Sequence, residues 1–202
     1  MKKLFMVLSL AFAGLTNANA QSNELYINYS PVTLTTKASV PGARNDLSVS
    51  GKGNSVSAGY NYLSKKDNMV YLVFGGKLSY LWDEENGLKE KCVRCQFPLN
   101  LKLSLELANS LKIEPYAGFN GSYFISYNIS GYDSYGRKQS ISLFDYDGYN
   151  RFGLGWQVGA DINVNGLILG VGYAKDFTNF VSVGDDASCK WSSVDFKLGV
   201  RF

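Results

Sequence analysis

A two-residue rhythm that recurs in eight separate stretches constrains this chain more than any other feature. Near its end Val194, Phe196, Leu198, Val200 and Phe202 take every second position, with Asp195, Lys197, Gly199 and Arg201 between them. A strand sends successive side chains to opposite faces, so this pattern predicts a strand with one large apolar face and one charged or small face. Upstream, Leu167 to Tyr173, Phe152 to Ile162, Leu111 to Ile129 and Leu99 to Leu107 repeat it, as do Val70 to Trp82, Val56 to Tyr62 and Leu25 to Tyr29.

The connections alternate in length. Short turns fall near 64–68, 108–110 and 163–166, the last carrying the hairpin dipeptide Asn165-Gly166. Long connections are expected at about 35–53, 83–96, 130–150 and 178–190. Eight strands with short turns on one side and long loops on the other describe an all-β, eight-stranded antiparallel up-and-down transmembrane barrel.

A soluble barrel would share the alternation but bury its apolar face. Three features favour the membrane. The second face is rich in Gly, Ala, Ser and Asn, which suit a narrow lumen. It also carries charges of both signs, Lys77, Lys102, Glu106, Lys112, Glu114, Arg151, Asp161, Asp195, Lys197 and Arg201, which can pair inside the barrel. Aromatic residues gather at segment ends (Tyr60, Tyr62, Tyr80, Trp82, Tyr123, Tyr127, Phe152, Tyr173, Phe177), as membrane girdles require. With eight strands the interior is just wide enough to be filled by side chains, so a salt-bridge network is expected rather than a pore.

Residues 1–20 read as a secretory signal peptide: Lys2 and Lys3, an apolar run from Leu4 to Leu15, and the cleavage pattern Ala18-Asn19-Ala20. The barrel domain is then 21–202, exported to the outer membrane. The formal charge is +3, of which Lys2 and Lys3 supply two, so the barrel is nearly neutral and has no nucleic-acid signature. Histidine is absent, which removes Ser-His-Asp and Cys-His catalysis and most zinc sites.

Cys92 and Cys95 fall in the second expected loop and Cys189 in the fourth; in an exported chain they suit a loop-stapling disulfide or free thiols. The run Asp145-Tyr146-Asp147-Gly148 lacks the rest of a calcium loop and reads as a solvated turn, as does Asp185-Asp186. Tyr132, Tyr135, Tyr146 and Tyr149 could form a recognition surface or a projecting strand pair.

Gln96-Phe97-Pro98-Leu99 with Glu114-Pro115-Tyr116-Ala117-Gly118 form one familiar block. Gly153-Leu154-Gly155 through Gly159-Ala160-Asp161, then Leu169 to Tyr173 and Phe177-Thr178-Asn179, form another. Together they resemble the small outer-membrane β-barrel domain proteins of Bacteroidota, the PorT-like group. That resemblance implies the same fold and assigns no activity. Phe202 with its alternating partners resembles the C-terminal assembly signal of bacterial outer-membrane proteins. The expected function is therefore structural or interactive and non-enzymatic, with no cofactor. Partners would be outer-membrane lipid, the barrel-assembly machinery during biogenesis, and an envelope or extracellular partner met by the loops. The alternatives are a small outer-membrane enzyme and a soluble periplasmic barrel holding an apolar ligand.

Overall fold

The structure, a computed structural model, describes residues 20–38, 47–65, 69–85, 87–132, 135–181 and 187–202. The expected signal segment lies outside the described residues, save for Ala20, with which the first strand begins. The strands are β1 (Ala20–Ala38), β2 (Leu47–Lys65), β3 (Val70–Glu85), β4 (Leu88–Leu103), β5 (Leu105–Ala108), β6 (Leu111–Tyr132), β7 (Lys138–Ser142), β8 (Phe152–Val164), β9 (Leu167–Asp176) and β10 (Ala187–Arg201). β5 continues the line of β4 past Ser104, and β7 folds back on β6 as a short arm, so eight staves form the wall.

Each stave pairs antiparallel with its neighbours, and β1 closes on β10. The seam runs from Glu24 opposite Arg201 to Ala38 opposite Ala187. Phe202 extends it by exchanging backbone hydrogen bonds of 2.9 and 3.0 Å with Asn23. Closure leaves the wall no unpaired edge, as a sheet in hydrocarbon requires.

The two faces are oriented as a membrane barrel demands. Leu101 is 49% exposed while adjacent Lys102 is 2% exposed, and Phe196 is 51% exposed. Leu25, Ile27, Leu99, Phe119, Val158, Leu169 and Leu198 join the same outward belt, whereas Glu24, Asn28, Asn100, Glu114 and Asp161 face inward. That many solvent-facing large apolar side chains would be an aggregation hazard in water and are at home in lipid. Tyr80 stacks with Trp82 at 6.0 Å, and Tyr123 lies against Phe152 at 4.9 Å, in the girdle expected at one rim.

The turn at Asn165-Gly166 has φ of 53° and 92°, the left-handed pair of a type I′ hairpin, and Asn163 Oδ1 accepts a 2.9 Å bond from the Gly166 N–H. The opposite end departs from expectation. The stretch 83–96 is no long loop: β3 runs to Glu85 and β4 starts at Leu88. Gly87 at its tip has φ 78°, in the left-handed region that glycine enters without penalty. The pairs β1–β2, β3–β4 and β6–β7 all continue as strand in the stretches expected to be loop. At the β3–β4 tip Lys89 pairs with Glu84 at 2.9 Å, and this hydrogen bond holds the ammonium above its usual pKa.

One strand changes phase. Val93 faces Ser126 and Arg94 faces Phe124, leaving Ile125 as an extra residue in β6. This bulge turns Tyr127 inward to 3% exposure, so Tyr127 is not a girdle residue.

Candidate functional site

Inside the short-turn half of the barrel six ionised side chains meet at one level. Glu24 comes from β1, Lys102 from β4, Glu114 from β6, Asp161 from β8, and Lys197 and Arg201 from β10. Each lies in the inward phase of its strand. Lys102 Nζ sits 2.9 Å from Glu24 Oε1, 2.8 Å from Asp161 Oδ2 and 3.8 Å from Glu114 Oε2. Lys197 donates to Asp161 and approaches Glu24 at 4.0 Å. Arg201 forks between Glu24 and Glu114, with Nη1 donating to Glu114 Oε1 at 2.7 Å and Nε to Glu24 Oε1 at 3.2 Å. Three carboxylates thus meet three cations, and the buried group carries no net formal charge. Asn61 Nδ2 donates to Glu24 at 3.1 Å and Ser104 Oγ to Glu114 at 3.2 Å, occupying further lone pairs.

Tyr26 and Tyr116 fill the space beside the network, with Lys197 Nζ 5.4 and 5.5 Å from their ring centres. They fit because glycines face them. A Cβ on Gly159 would lie 2.5 Å from the Tyr116 hydroxyl, and one on Gly59 would collide with the Tyr26 ring. A pocket between these groups has a volume of about 30 Å³, room for a water or two and not for a solute path. Glu24, Glu114 and Asp161 could ligate a metal by spacing, with oxygens within 4.8 Å of one another. Lys102, Lys197 and Arg201 already supply the positive charge there.

Of the ten charges expected in the lumen, Lys77, Lys102, Glu114, Asp161, Asp195, Lys197 and Arg201 face it, Lys77 pairing with Asp195 at 2.8 Å. Three do not. Glu106 and Lys112 pair with each other at 3.1 Å on the short-turn rim, with side chains 62% and 37% exposed, because the β5–β6 hairpin extends past the plug into solvent. Arg151 precedes β8 and lies over the Phe144 ring at 4.2 Å, donating to the Ile125 carbonyl at 3.1 Å. Glu24, Arg94 and Asp176 belong inside and were not expected there. Glu24 shares the even phase of Tyr26 and Asn28, which could have signalled it, whereas Arg94 fell in a presumed loop.

The expected disulfide is not formed; all three cysteines are free thiols. Cys92 and Cys95 lie in β4 rather than in a loop, and residues three apart on a strand face opposite sides. Cys189 belongs to β10, four staves from β4 around the ring and so on the far wall.

The long-loop half of the interior is apolar. Val32, Leu81, Cys92, Phe124, Tyr127, Leu143, Phe180, Cys189 and Trp191 pack into one buried cluster. Phe180 touches Phe124 at 4.9 Å and Tyr127 at 5.5 Å between centroids. Beneath them Arg94 lies 5.5 Å from the Phe124 ring and 3.6 Å from Asp176. Beside this cluster a cleft of about 250 Å³ opens between β1, β2, β3 and β4, floored by Val32, Leu81, Cys92, Tyr127 and Trp191. Of the four tyrosines of the third connection, Tyr132, Tyr135 and Tyr146 are exposed, and Tyr149 packs on Phe180 at 5.8 Å.

No family model matches the chain, and no curated protein matches it. Among solved structures it is similar to Neisserial surface protein A, at 14% identity over 88% of this chain and 97% of that one, with a TM-score of 0.50. It is also similar to the outer membrane enzyme PagL, at 12% identity over 86% and 98%, again with a TM-score of 0.50. At such identity the likeness speaks to fold alone, and the fold is that of a small outer-membrane β-barrel.

Proposed function

We propose that this protein is a non-enzymatic, integral outer-membrane barrel of the PorT-like type that acts through its long-loop end. There it meets a ligand or an envelope partner. A cleaved leader would export it, and the barrel-assembly machinery would insert it. The observation that carries this reading is the neutral six-membered plug, which fills the axis at its level and, among the described residues, leaves the long-loop end as the face with open space. The chemistry on hand supports a non-catalytic role. The chain has no histidine, and Cys92 and Cys189 are buried in an apolar cluster.

Membrane fractionation, SDS gels of heated and unheated samples, and conductance in planar bilayers test the reading together. The protein should pellet with outer membrane, run faster unheated than boiled, and pass no solute current. Release by osmotic shock without a mobility shift, or steady single-channel openings, would overturn it.

A further inference from the structure

The mouth cleft combines an aromatic floor with an acidic rim. Tyr127 and Trp191 meet at 70° with ring centres 6.0 Å apart, forming two walls of a box, and Trp82 also lines the cleft. Around the opening stand Asp83, Glu85 and Glu90, against one lining cation among the described residues, Lys52. Glu90 is oriented by the Tyr127 hydroxyl, which donates to it. Trp191 is 7% exposed, yet its indole N–H has no hydrogen-bond partner among the described residues. A buried donor without an acceptor is costly, and the neighbouring Tyr127 hydroxyl already has its partner in Glu90.

We propose that this cleft binds a small alkylated ammonium that carries an oxygen acceptor. Ring faces attract a methyl-coated cation, whose weak hydration makes removal from water cheap. The carboxylates add attraction without a matching positive rim, and the ligand's oxygen, or a water it orders, answers the indole N–H. The volume of about 250 Å³ lies below that of pockets for drug-sized molecules, so a choline-sized group fits and a large ligand does not. This inference rests on the long-loop end being the interacting face.

The test is choline against its neutral isostere 3,3-dimethylbutan-1-ol, added to the folded full-length barrel in maltoside micelles, which hold no choline headgroup. Binding is read from the indole N–H resonances. The Trp191 resonance should shift saturably while that of the lipid-facing Trp156 stays still. Choline should bind about tenfold more tightly than the isostere, the size of a desolvated cation–π contact plus nearby carboxylates. The Asp83→Asn, Glu85→Gln double variant should lose about that factor for choline alone. Both side chains stand on the rim, and an unchanged heated-versus-unheated mobility shift certifies its fold. Competition by phosphatidylcholine bicelles would identify a lipid headgroup as the source, and its absence a free ligand. Equal binding of both isosteres, or no saturable shift in a correctly folded barrel, would overturn the proposal. Neither result would touch the sealed-barrel reading, which fails only by fractionation or conductance.

Discussion

Replacing Lys102 by methionine tests whether the interior is a charge-matched plug. The two side chains are similar in length, so packing changes little while one positive charge disappears. Lys102 Nζ lies 2.9 Å from Glu24 and 2.8 Å from Asp161. At an effective dielectric of about 20, each contact is worth roughly 6 kcal/mol before offsets. Repulsion from Lys197 and Arg201 and the cost of stripping water from the ammonium cancel much of that sum. What remains after the substitution is a buried group with one uncompensated negative charge, and such broken pairs typically cost about 3–5 kcal/mol. Equilibrium urea unfolding of the barrel in lipid vesicles, followed by tryptophan fluorescence, measures the loss. Adding Glu24→Gln restores neutrality, so the double variant should recover about 1–3 kcal/mol relative to the sum of the single losses. A loss below about 1 kcal/mol for Lys102→Met, or strict additivity in the double variant, would refute charge matching as the principle of the lumen.

Gly172→Ala should destabilise the barrel by about 1–3 kcal/mol in the same titration, because its Cβ would strike the Tyr116 hydroxyl. Tyr116→Phe should rescue it, since the ring carbon Cζ would then be 3.5 Å away; Gly159→Ala should resist rescue, its Cβ also lying 2.5 Å from the Val171 carbonyl. Leu99→Arg places a guanidinium in the outward belt and should cost about 2–4 kcal/mol in vesicles. The same change measured in urea-free refolding yield should be far milder in detergent micelles. Cys92, 1% exposed, should resist a water-soluble maleimide in a Cys95→Ala, Cys189→Ala background until the barrel unfolds. Rapid labelling of the folded protein would place the thiol outside the cluster.

The belt was legible because hydrocarbon enforces a rule on every outward position. Leu99, Leu101 and Leu103 must all be apolar, and their neighbours Asn100 and Lys102 are freed from that demand, so the period of two survives intact. Beyond the girdle both faces are wetted and the rule lapses. Leu88 to Gln96 contains Lys89, Glu90 and Lys91 in succession, which reads as loop although it is strand, and Arg94 went unseen for that reason. Glu106 and Lys112 failed in the opposite way. Their alternation is genuine, but alternation gives the face and not the depth, and their level lies past the plug.

The mouth cleft depends on the one place where the alternation breaks. Without Ile125 as an extra residue, β6 would continue its odd-outward phase, and Tyr127 would join Tyr123 on the lipid side. Glu90 would then lose its hydrogen-bond donor and the cleft the ring that meets Trp191. A bulge costs a ladder bond and a residue left without a partner, so a chain retains one where re-aiming a side chain serves something the regular barrel cannot supply. Lipid fixes the phase of the wall up to Phe124, and the bulge releases β6 from it. The strand thereby delivers an aromatic ring to the interior above the plug, where the next side chain is no longer needed to seal the axis and is available to face a ligand.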